Sequence, residues 1–396
     1  MNTRDTTVAD TDQTRRLRRA LAANLLGGGC APSWRDVFER VPRHVFVPRF
    51  FVDREHNGRY EQIEGSDPSR HDEWLAAVYS DEALVTQLDG TDDAWVPEGN
   101  PTSSATMPSL MALMLAALDI HKEMSILEIG TGTGYNAALL SEKLGCAHVT
   151  SVDIDRSLVE AARQRLLSLG YTPTLKTGDG TLGYEPNAPY DRILATVSLP
   201  TVPRAWIEQT RENGLILVNL YRDLGAGALV LLTVHDGQAE GNFLAEFGGF
   251  MPTRATSTPD TLKLLRAARG EEGDSRPTTL DGHALDDPEF NFFAALRISA
   301  SRIKAQKQGK PSEFWLMGRD GSWACQRTDA DGQCFAVQHG RRRLWDGLEA
   351  IHGEWEALGR PPRCDFGLTV TRTERHVLWY KHAGNTSWEL IPDNFD

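Results

Sequence analysis

Between residues 108 and 235 the sequence alternates short apolar runs with amphipathic ones, and this alternation limits the fold more than any other feature. "SILEIG", "HVTSVDI", "TPTLKTGD" and "YDRILAT" read as strands buried on both faces. Between them, "YNAALLSEKLG", stopped by Gly145, and "SLVEAARQRLLSLG" have helical spacing. "PSLMALMLAALDI" is a helix with Pro108 tolerated in its first turn, and "VPRAWIEQTREN" is another. "GLILVNL" and "GALVLLTVH" add two more strands. The pattern predicts an α/β domain with a doubly wound, mostly parallel sheet covered by helices.

The flanks are less regular. Leu17, Leu21, Ala22, Leu25 and Leu26 predict an N-terminal helix over 12–26, whereas 52–78 and 88–102 are polar and read as loops. Past residue 250 the composition becomes rich in Gly, Pro and Asp. "SEFWLMGRDGSWACQR" then reads as a hairpin turning at Asp320-Gly321. Leu344, Leu348, Ile351, Trp355 and Leu358 lie on one helix face, and "CDFGLTVTRTERHVLWYK" is a second hairpin with Phe366, Leu368 and Val370 on one side. The expected division is an N-terminal helical segment (1–35), the α/β domain (36–250), a linker or surface excursion (251–289) and a small C-terminal α+β domain (290–396). The C-terminal tryptophans Trp315, Trp323, Trp345, Trp355, Trp379 and Trp388 are expected in its core.

Composition narrows the function. At 396 residues the chain has room for two domains, and its net charge of −13 argues against nucleic acid as partner. The run Arg341 to Arg343 reads as a solvated face. Cys30, Cys146, Cys325, Cys334 and Cys364 show no CxxC spacing, and no HExxH or HxH occurs, so no metal site is expected. No apolar run reaches the roughly 18–20 residues of a membrane span, and the N-terminus lacks the apolar core of a signal peptide, so the cytoplasm is the expected location.

"ILEIGTGTGY", residues 126–135, carries the chemistry. Gly130, Gly132 and Gly134 read GxGxG, with Tyr135 where a dinucleotide fingerprint has its third glycine, and no GKS or GKT follows for a Walker loop. Glu128, two residues before the first glycine, would repel a pyrophosphate and suits a ligand carrying positive charge. S-adenosylmethionine, with its sulfonium and amino group, is such a ligand. Asp153 ends the second strand 19 residues past Gly134, the distance at which an acid accepts from ribose hydroxyls. The competing role for Asp153 taken alone is a helix N-cap. Gly178-Asp179-Gly180 ends the third strand, where Asp179 could accept from the adenine amino group. Glu128, Gly130, Thr131, Gly132, Gly134, Tyr135, Asp153, Ile154, Gly178, Asp179 and Gly180 are therefore the cofactor-binding candidates.

With "VPRHVFVP", "VYSDEALVTQ", "ATMPSLMALMLAAL", "KTGDGTLGYEPNAPYDRI" and "LPTVPRAWIEQ" in the same order, residues 35–235 resemble the protein L-isoaspartyl/D-aspartyl O-methyltransferases. The resemblance implies the Rossmann-like class I fold of S-adenosylmethionine-dependent methyltransferases and methyl transfer to a side-chain carboxylate of a peptide or protein. Where that family has a serine two residues before a proline, this chain has Thr106 before Pro108, with Met107 where Gln or a similar residue is usual. Thr106 is thus the leading catalytic candidate, with Ser103 and Ser104 as alternatives. Capping of the helix at 108 is the competing role for Thr106. A carboxylate is already ionised at neutral pH, so the missing acid–base dyad is what such a reaction needs.

The C-terminal part, including "RRLWDGLEAIHGEWEALGRPP" and "FGLTVT", is similar to a set of actinobacterial enzymes that accompany lanthipeptides, lasso peptides, graspetides and imiditides. That similarity implies methylation of an aspartate in a ribosomally made precursor, the ester closing to an aspartimide. Repair of isoaspartate in damaged proteins is the alternative, and a non-catalytic peptide-binding protein on the same fold is a third. Extra length favours the first reading, since choosing one aspartate needs binding surface. Arg341 to Arg343, Arg360 and Arg363 are the residues that could give an acidic precursor a basic face.

Overall fold

A computed structural model describes residues 10–27, 32–90, 99–253, 261–305, 313–329 and 331–390. Cys30 and the 91–98 part of the expected 88–102 loop lie outside them. The chain forms two compact units, Met1–Val197 with Pro203–Leu217, and Ser198–Val202 with Val218–Asp396.

The first unit opens with helices α1 (Asp12–Gly27), α2 (Pro32–Arg40) and α3 (Arg43–Phe46). A small antiparallel sheet follows, ordered β2-β1-β3-β4, from β1 (Arg49–Val52), β2 (Glu61–Glu64), β3 (Leu84–Leu88) and β4 (Pro101–Ala105), with α4 (His71–Val78) between β2 and β3. The stretches 52–78 and 88–102 are not the loops expected, because both contain strand residues and the first also contains a helix. Their polar composition hides the order. Trp74 on α4 is fully buried and donates to Val47 O at 2.9 Å, while Arg54 and Arg70 both pair with Glu61 and Glu73. One aromatic anchor and four mutually neutralising charges hold the segment with few aliphatic residues.

After α5 (Pro108–Ala117) comes the predicted alternation: β5 (Ile126–Ile129), α6 (Tyr135–Leu144), β6 (Val149–Asp153), α7 (Arg156–Ser168), β7 (Thr174–Thr177) and β8 (Tyr190–Leu199). Gly145 ends α6 at φ +90°, as its position predicted. β8, β5, β6 and β7 run parallel in that spatial order, and all four residues of β5 are buried. The chain winds from β5 out to β7 and then returns to β5's other side as β8. This reversal opens a crevice at the carboxyl ends of β5 and β8, where α/β sheets bind ligands.

Helix α8 (Arg204–Gln209) is shorter than "VPRAWIEQTREN" predicted, since Thr210 to Asn213 already belong to β9 (Thr210–Tyr221). Thr210 turns extended at φ −97°, ψ 139°, and its hydroxyl donates to Trp206 O at 2.6 Å, closing the helix. A β-branched residue suits this switch.

The second unit contains β10 (Gly227–His235), β11 (Gln238–Phe243), α9 (Thr261–Ala268), β12 (Asp274–Pro277), α10 (Pro288–Ala295), β13 (Ser301–Ala305), β14 (Glu313–Met317), β15 (Trp323–Thr328), β16 (Cys334–His339), α11 (Leu344–Ala357), β17 (Phe366–Val370), β18 (His376–Tyr380) and β19 (Ser387–Glu389). β10-β11-β17-β18-β19 form one antiparallel series, and β12-β16-β15-β14-β13 a second sheet. Both predicted hairpins are present, the first turning through Gly321 at φ +82°. The stretch 251–289 is not only linker. It supplies α9, whose Leu265 and Ala268 pack with Trp315, Met317 and Trp323, and the edge strand β12, whose Arg276 binds Asp346 and Glu349. The compact units also divide inside β9, not near residue 250. Trp315, Trp323, Trp345, Trp355 and Trp379 are buried, and Trp388 is half-buried beside the Arg297 guanidinium.

Candidate functional site

The glycine loop crosses from β5 to α6 at the switch point. Gly130, Gly132 and Gly134 have φ of +97°, +49° and +88°, a region side chains disfavour. A Cβ on Gly130 would sit 2.6 Å from Thr196 Oγ1 and 3.0 Å from Val197 Cγ1, and one on Gly134 2.9 Å from Ala162 Cβ. The first and last glycines are thus fixed by space as well as by backbone. At Gly132 a Cβ would meet only Ser103 Oγ and Ser104 O, both at 3.8 Å. The middle of the loop therefore lies alongside β4, the strand that leads to Thr106.

Glu128 differs from its expected role. It is wholly buried, its Oε2 accepting from Ser151 Oγ at 2.5 Å and its Oε1 from Asn136 Nδ2 at 2.7 Å. Thr131 Oγ1 joins Ser151 Oγ at 2.7 Å, so the carboxyl braces the glycine loop from behind instead of meeting a ligand directly. Burial pushes its pKa up to about 7, against the lowering effect of those hydrogen bonds, with Asp153 adding to the rise. Tyr135 also faces inward: its ring lies 6.4 Å from that of Phe38 and 5.7 Å from that of Phe46.

Asp153 ends β6 half-exposed, accepting from Gly132 N–H at 2.9 Å through Oδ2 and from Asp155 N–H at 3.0 Å through Oδ1. The N-cap of α7 is Asp155, which accepts from the amides of Ser157 and Leu158, so Asp153 is not the cap. Asp155 is partly buried, which raises its pKa, but hydrogen bonds from Ser157, Gln87 and Leu158 outweigh burial and hold it at about 2. Ile154 is 47% exposed between the two acids, an apolar surface on which a flat ring could rest. Gly178 N–H donates to Asp153 O at 2.9 Å, which brings the end of β7 to the same place. Asp179 is exposed and caps the turn that follows by accepting from Thr181 N–H. Gly180 packs under Ile129, whose Cγ2 a Cβ would approach to 2.5 Å. A half-exposed acid, an exposed aliphatic and a second acid suit a nucleoside bearing a positively charged tail, so these residues fit S-adenosylmethionine.

Thr106 follows β4, half-buried. It does not cap α5: Met107 holds the N-cap position without a side-chain bond, and Asp81 Oδ1 accepts the Ser109 amide at 2.8 Å. The first turn of α5 thus already faces an anion. The Thr106 hydroxyl has no hydrogen-bond partner among the described residues, whereas its carbonyl accepts from Arg43 Nη2 at 3.2 Å. Arg43 is fully buried and donates also to the carbonyls of Val78, Ser80 and Glu82. Ser103 is buried and its Oγ accepts from Thr86 Oγ1 at 3.2 Å, while Ser104 is half-buried. Arg43, Asp81, Gln87, Asn136, Ser151 and Thr196 escaped the sequence reading. All six lie within quoted stretches, but their contacts are tertiary.

Of the residues named for a basic face, Arg341 is exposed, but the other four are each paired with acids. Arg363 is buried on Glu289, Arg360 pairs with Glu356, and Arg342 and Arg343 are engaged by Asp320, Asp274 and Asp346. Among the described residues no group of three His, Cys, Asp or Glu side chains could hold a metal ion, and no helix is long and apolar enough to cross a membrane.

A family model described as protein-L-isoaspartate(D-aspartate) O-methyltransferase matches residues 71–240. The chain is 42% identical over 185 residues to protein-L-isoaspartate O-methyltransferase 1 of Archaeoglobus fulgidus, covering 46% of this chain and 69% of the relative. It is 33% identical over 184 residues to the Dictyoglomus turgidum protein-L-isoaspartate O-methyltransferase, covering 46% and 66%. A Xanthobacter autotrophicus relative of the same name is 46% identical over 116 residues, covering 29% and 52%. The match thus spans between about half and just over two thirds of these relatives' length. A solved structure titled protein-L-isoaspartate O-methyltransferase shares the fold with a TM-score of 0.54 at 23% identity, over 92% of this chain and all of that one. The chain belongs to the protein-L-isoaspartate(D-aspartate) O-methyltransferase family.

Proposed function

We propose that this protein is an S-adenosylmethionine-dependent carboxyl O-methyltransferase that methylates isoaspartyl residues in peptides or proteins. One observation carries the reading: the glycine loop at the switch point runs beside β4, Gly132 facing Ser103 and Ser104, and β4 leads to Thr106, whose hydroxyl has no hydrogen-bond partner among the described residues. A site for a nucleoside-bearing cation and a hydroxyl donor for an anion stand side by side. The family's names support the substrate class.

When bound, S-adenosylmethionine supplies an electrophilic methyl group, which an acceptor carboxylate oxygen takes as the carbon–sulfur bond breaks. The protein's share is placement. Asp153 would hold the nucleoside end, Ile154 would offer it an apolar surface, and the glycine loop keeps Asp153 in place through the Gly132 N–H. Thr106 donates to one carboxylate oxygen so that the other faces the methyl. Anion and cation neutralise each other in this step, so excluding water and fixing the line of approach matter more than acid–base chemistry. Arg43 holds Thr106 by its backbone and leaves the hydroxyl to the substrate.

A second reading keeps the same chemistry but takes a normal aspartate of a ribosomally made precursor peptide as acceptor, the ester closing to an aspartimide. Thr106 in place of the usual serine is the feature that favours it, since the extra methyl reshapes the acceptor side. Chain length no longer does, because a solved structure with the isoaspartate enzyme's title spans 92% of this chain. Both readings assume a cytoplasmic protein. Mass spectrometry of matched isoaspartyl and aspartyl peptides, and of any short peptide encoded beside the gene, separates them. Methylation of the isoaspartyl member alone supports the first. Methylation of the gene-neighbour peptide alone, followed by net loss of water, replaces it with the second, and no methylation of any of them refutes both.

A further inference from the structure

Gln87 lies between the two halves of this site. The β3–β4 ladder pairs Val85 with Ser104, Gln87 with Ser103 and Leu88 with Pro101. Thr86 is therefore the extra residue on one strand and Thr102 on the other, and two compensating bulges flank Gln87. Bulges redirect side chains, and here they turn Gln87 inward to 1% exposure. Its Nε2 donates to Asp155 Oδ2 at 3.0 Å, and its Oε1 accepts from Thr102 Oγ1 at 2.9 Å. Asp155 N–H in turn donates to Asp153, which holds Gly132. One buried amide thus spans the gap between the α7 cap, next to the proposed nucleoside acid, and the strand that carries the proposed acceptor hydroxyls. A buried amide is costly unless both its ends are bonded, and this one is bonded at both.

We infer that Gln87 is a positioning residue that fastens the acceptor strand β4 to the cofactor end of the sheet, so that cofactor binding orders β3 and β4. The inference rests on the proposed function for its cofactor and acceptor. Cofactor contacts with Asp153 and the glycine loop stiffen the Asp153–Asp155 segment, and Gln87 passes that restraint to Thr102, three residues before Ala105 and four before Thr106. Leucine at position 87 keeps most of the volume but can neither donate nor accept. Valine at position 102 removes the hydroxyl that Gln87 accepts from.

The test compares amide hydrogen exchange of the full chain with and without S-adenosylhomocysteine, in wild type, Gln87→Leu and Thr102→Val. Wild type should gain about tenfold protection or more in the glycine loop and also across residues 84–88 and 99–105. Both variants should keep the gain in the glycine loop and lose it in β3 and β4. With an accepted peptide, Gln87→Leu should lower kcat by about tenfold while KM for S-adenosylmethionine stays within about threefold, a split that mere loss of stability does not give. Equal protection of β3 and β4 in wild type and variants, or none in wild type despite binding, overturns the inference and leaves the functional reading standing. If S-adenosylhomocysteine does not bind at all, the functional reading falls and takes the inference with it. Should Gln87→Leu fail to fold, Thr102→Val alone decides, by the same two regions.

Discussion

Replacing Glu128 by glutamine should remove a pH dependence that this carboxyl imposes on the stability of the first unit. The carboxyl is fully buried, and burial raises its pKa from an ordinary 4.5 to about 7. A raised folded-state pKa means that the folded protein holds the proton to higher pH than the unfolded chain. The stability associated with Glu128 is therefore intact below about pH 4.5 and is lost progressively as pH rises through about 7. Linkage with these two values gives a penalty of about 1 kcal/mol near pH 5 and about 3 kcal/mol near pH 8, a difference of about 2 kcal/mol. Glutamine mimics the protonated form, keeping one acceptor for Ser151 or Asn136, and does not titrate. One mismatched donor costs it about 1 kcal/mol at every pH. Urea unfolding of wild type and Glu128→Gln at several values between about pH 5 and 8 isolates the effect, because other titrating groups cancel in the difference. The variant should gain on wild type by about 2 kcal/mol across that interval. A difference that stays flat to within about 0.5 kcal/mol would refute the picture of a brace that is neutral in acid and strained as an anion.

Other substitutions test the remaining supports. Gly130→Ala combines a φ of +97° with a Cβ 2.6 Å from Thr196 Oγ1, and should cost about 2–4 kcal/mol in thermal unfolding and abolish tight S-adenosylhomocysteine binding. Gly132→Ala meets no clash and should cost only about 1–2 kcal/mol, so equal losses would contradict the packing argument. Arg43→Met strips donors from four carbonyls and should cost about 3–5 kcal/mol in urea unfolding, and a loss under about 1 kcal/mol would show that this guanidinium does not hold the Thr106 segment. Thr106→Ala should lower kcat on an accepted peptide by about tenfold or more with S-adenosylhomocysteine affinity unchanged, and Thr106→Ser should retain most of it.

The methyltransferase sheet was legible because buried parallel strands are written as unbroken apolar runs, and "SILEIG" or "YDRILAT" admit few other readings. The glycine loop was legible for a related reason: backbone at positive φ leaves glycine in the sequence. Order held by pairs of charges was hidden. Residues 52–78 read as loop because Arg54, Glu61, Arg70 and Glu73 look solvated one at a time and form a network only once β2 and α4 meet. β12 was hidden for a similar reason, since "DSRP" becomes a strand only by pairing with β16. At the site, the sequence singled out Thr106, Asp153 and the glycines as candidates but did not reveal that Glu128 is buried, because distance from solvent is a tertiary property. That Asp155 and not Asp153 caps α7 turns on two residues of helix start, a boundary that local pattern does not resolve. Arg43 and Gln87 act on backbone carbonyls and buried acids far away in the sequence, so no spacing rule points to them.

The most direct test of the site is a crystal structure of the protein with S-adenosylhomocysteine and an isoaspartyl peptide. The account predicts the nucleoside at the carboxyl ends of β5 and β6, with its ribose hydroxyls on Asp153, and the isoaspartyl carboxylate within hydrogen-bond reach of Thr106 Oγ1. A nucleoside bound away from the Gly130–Gly134 loop, or a carboxylate held elsewhere than beside Thr106, would contradict it.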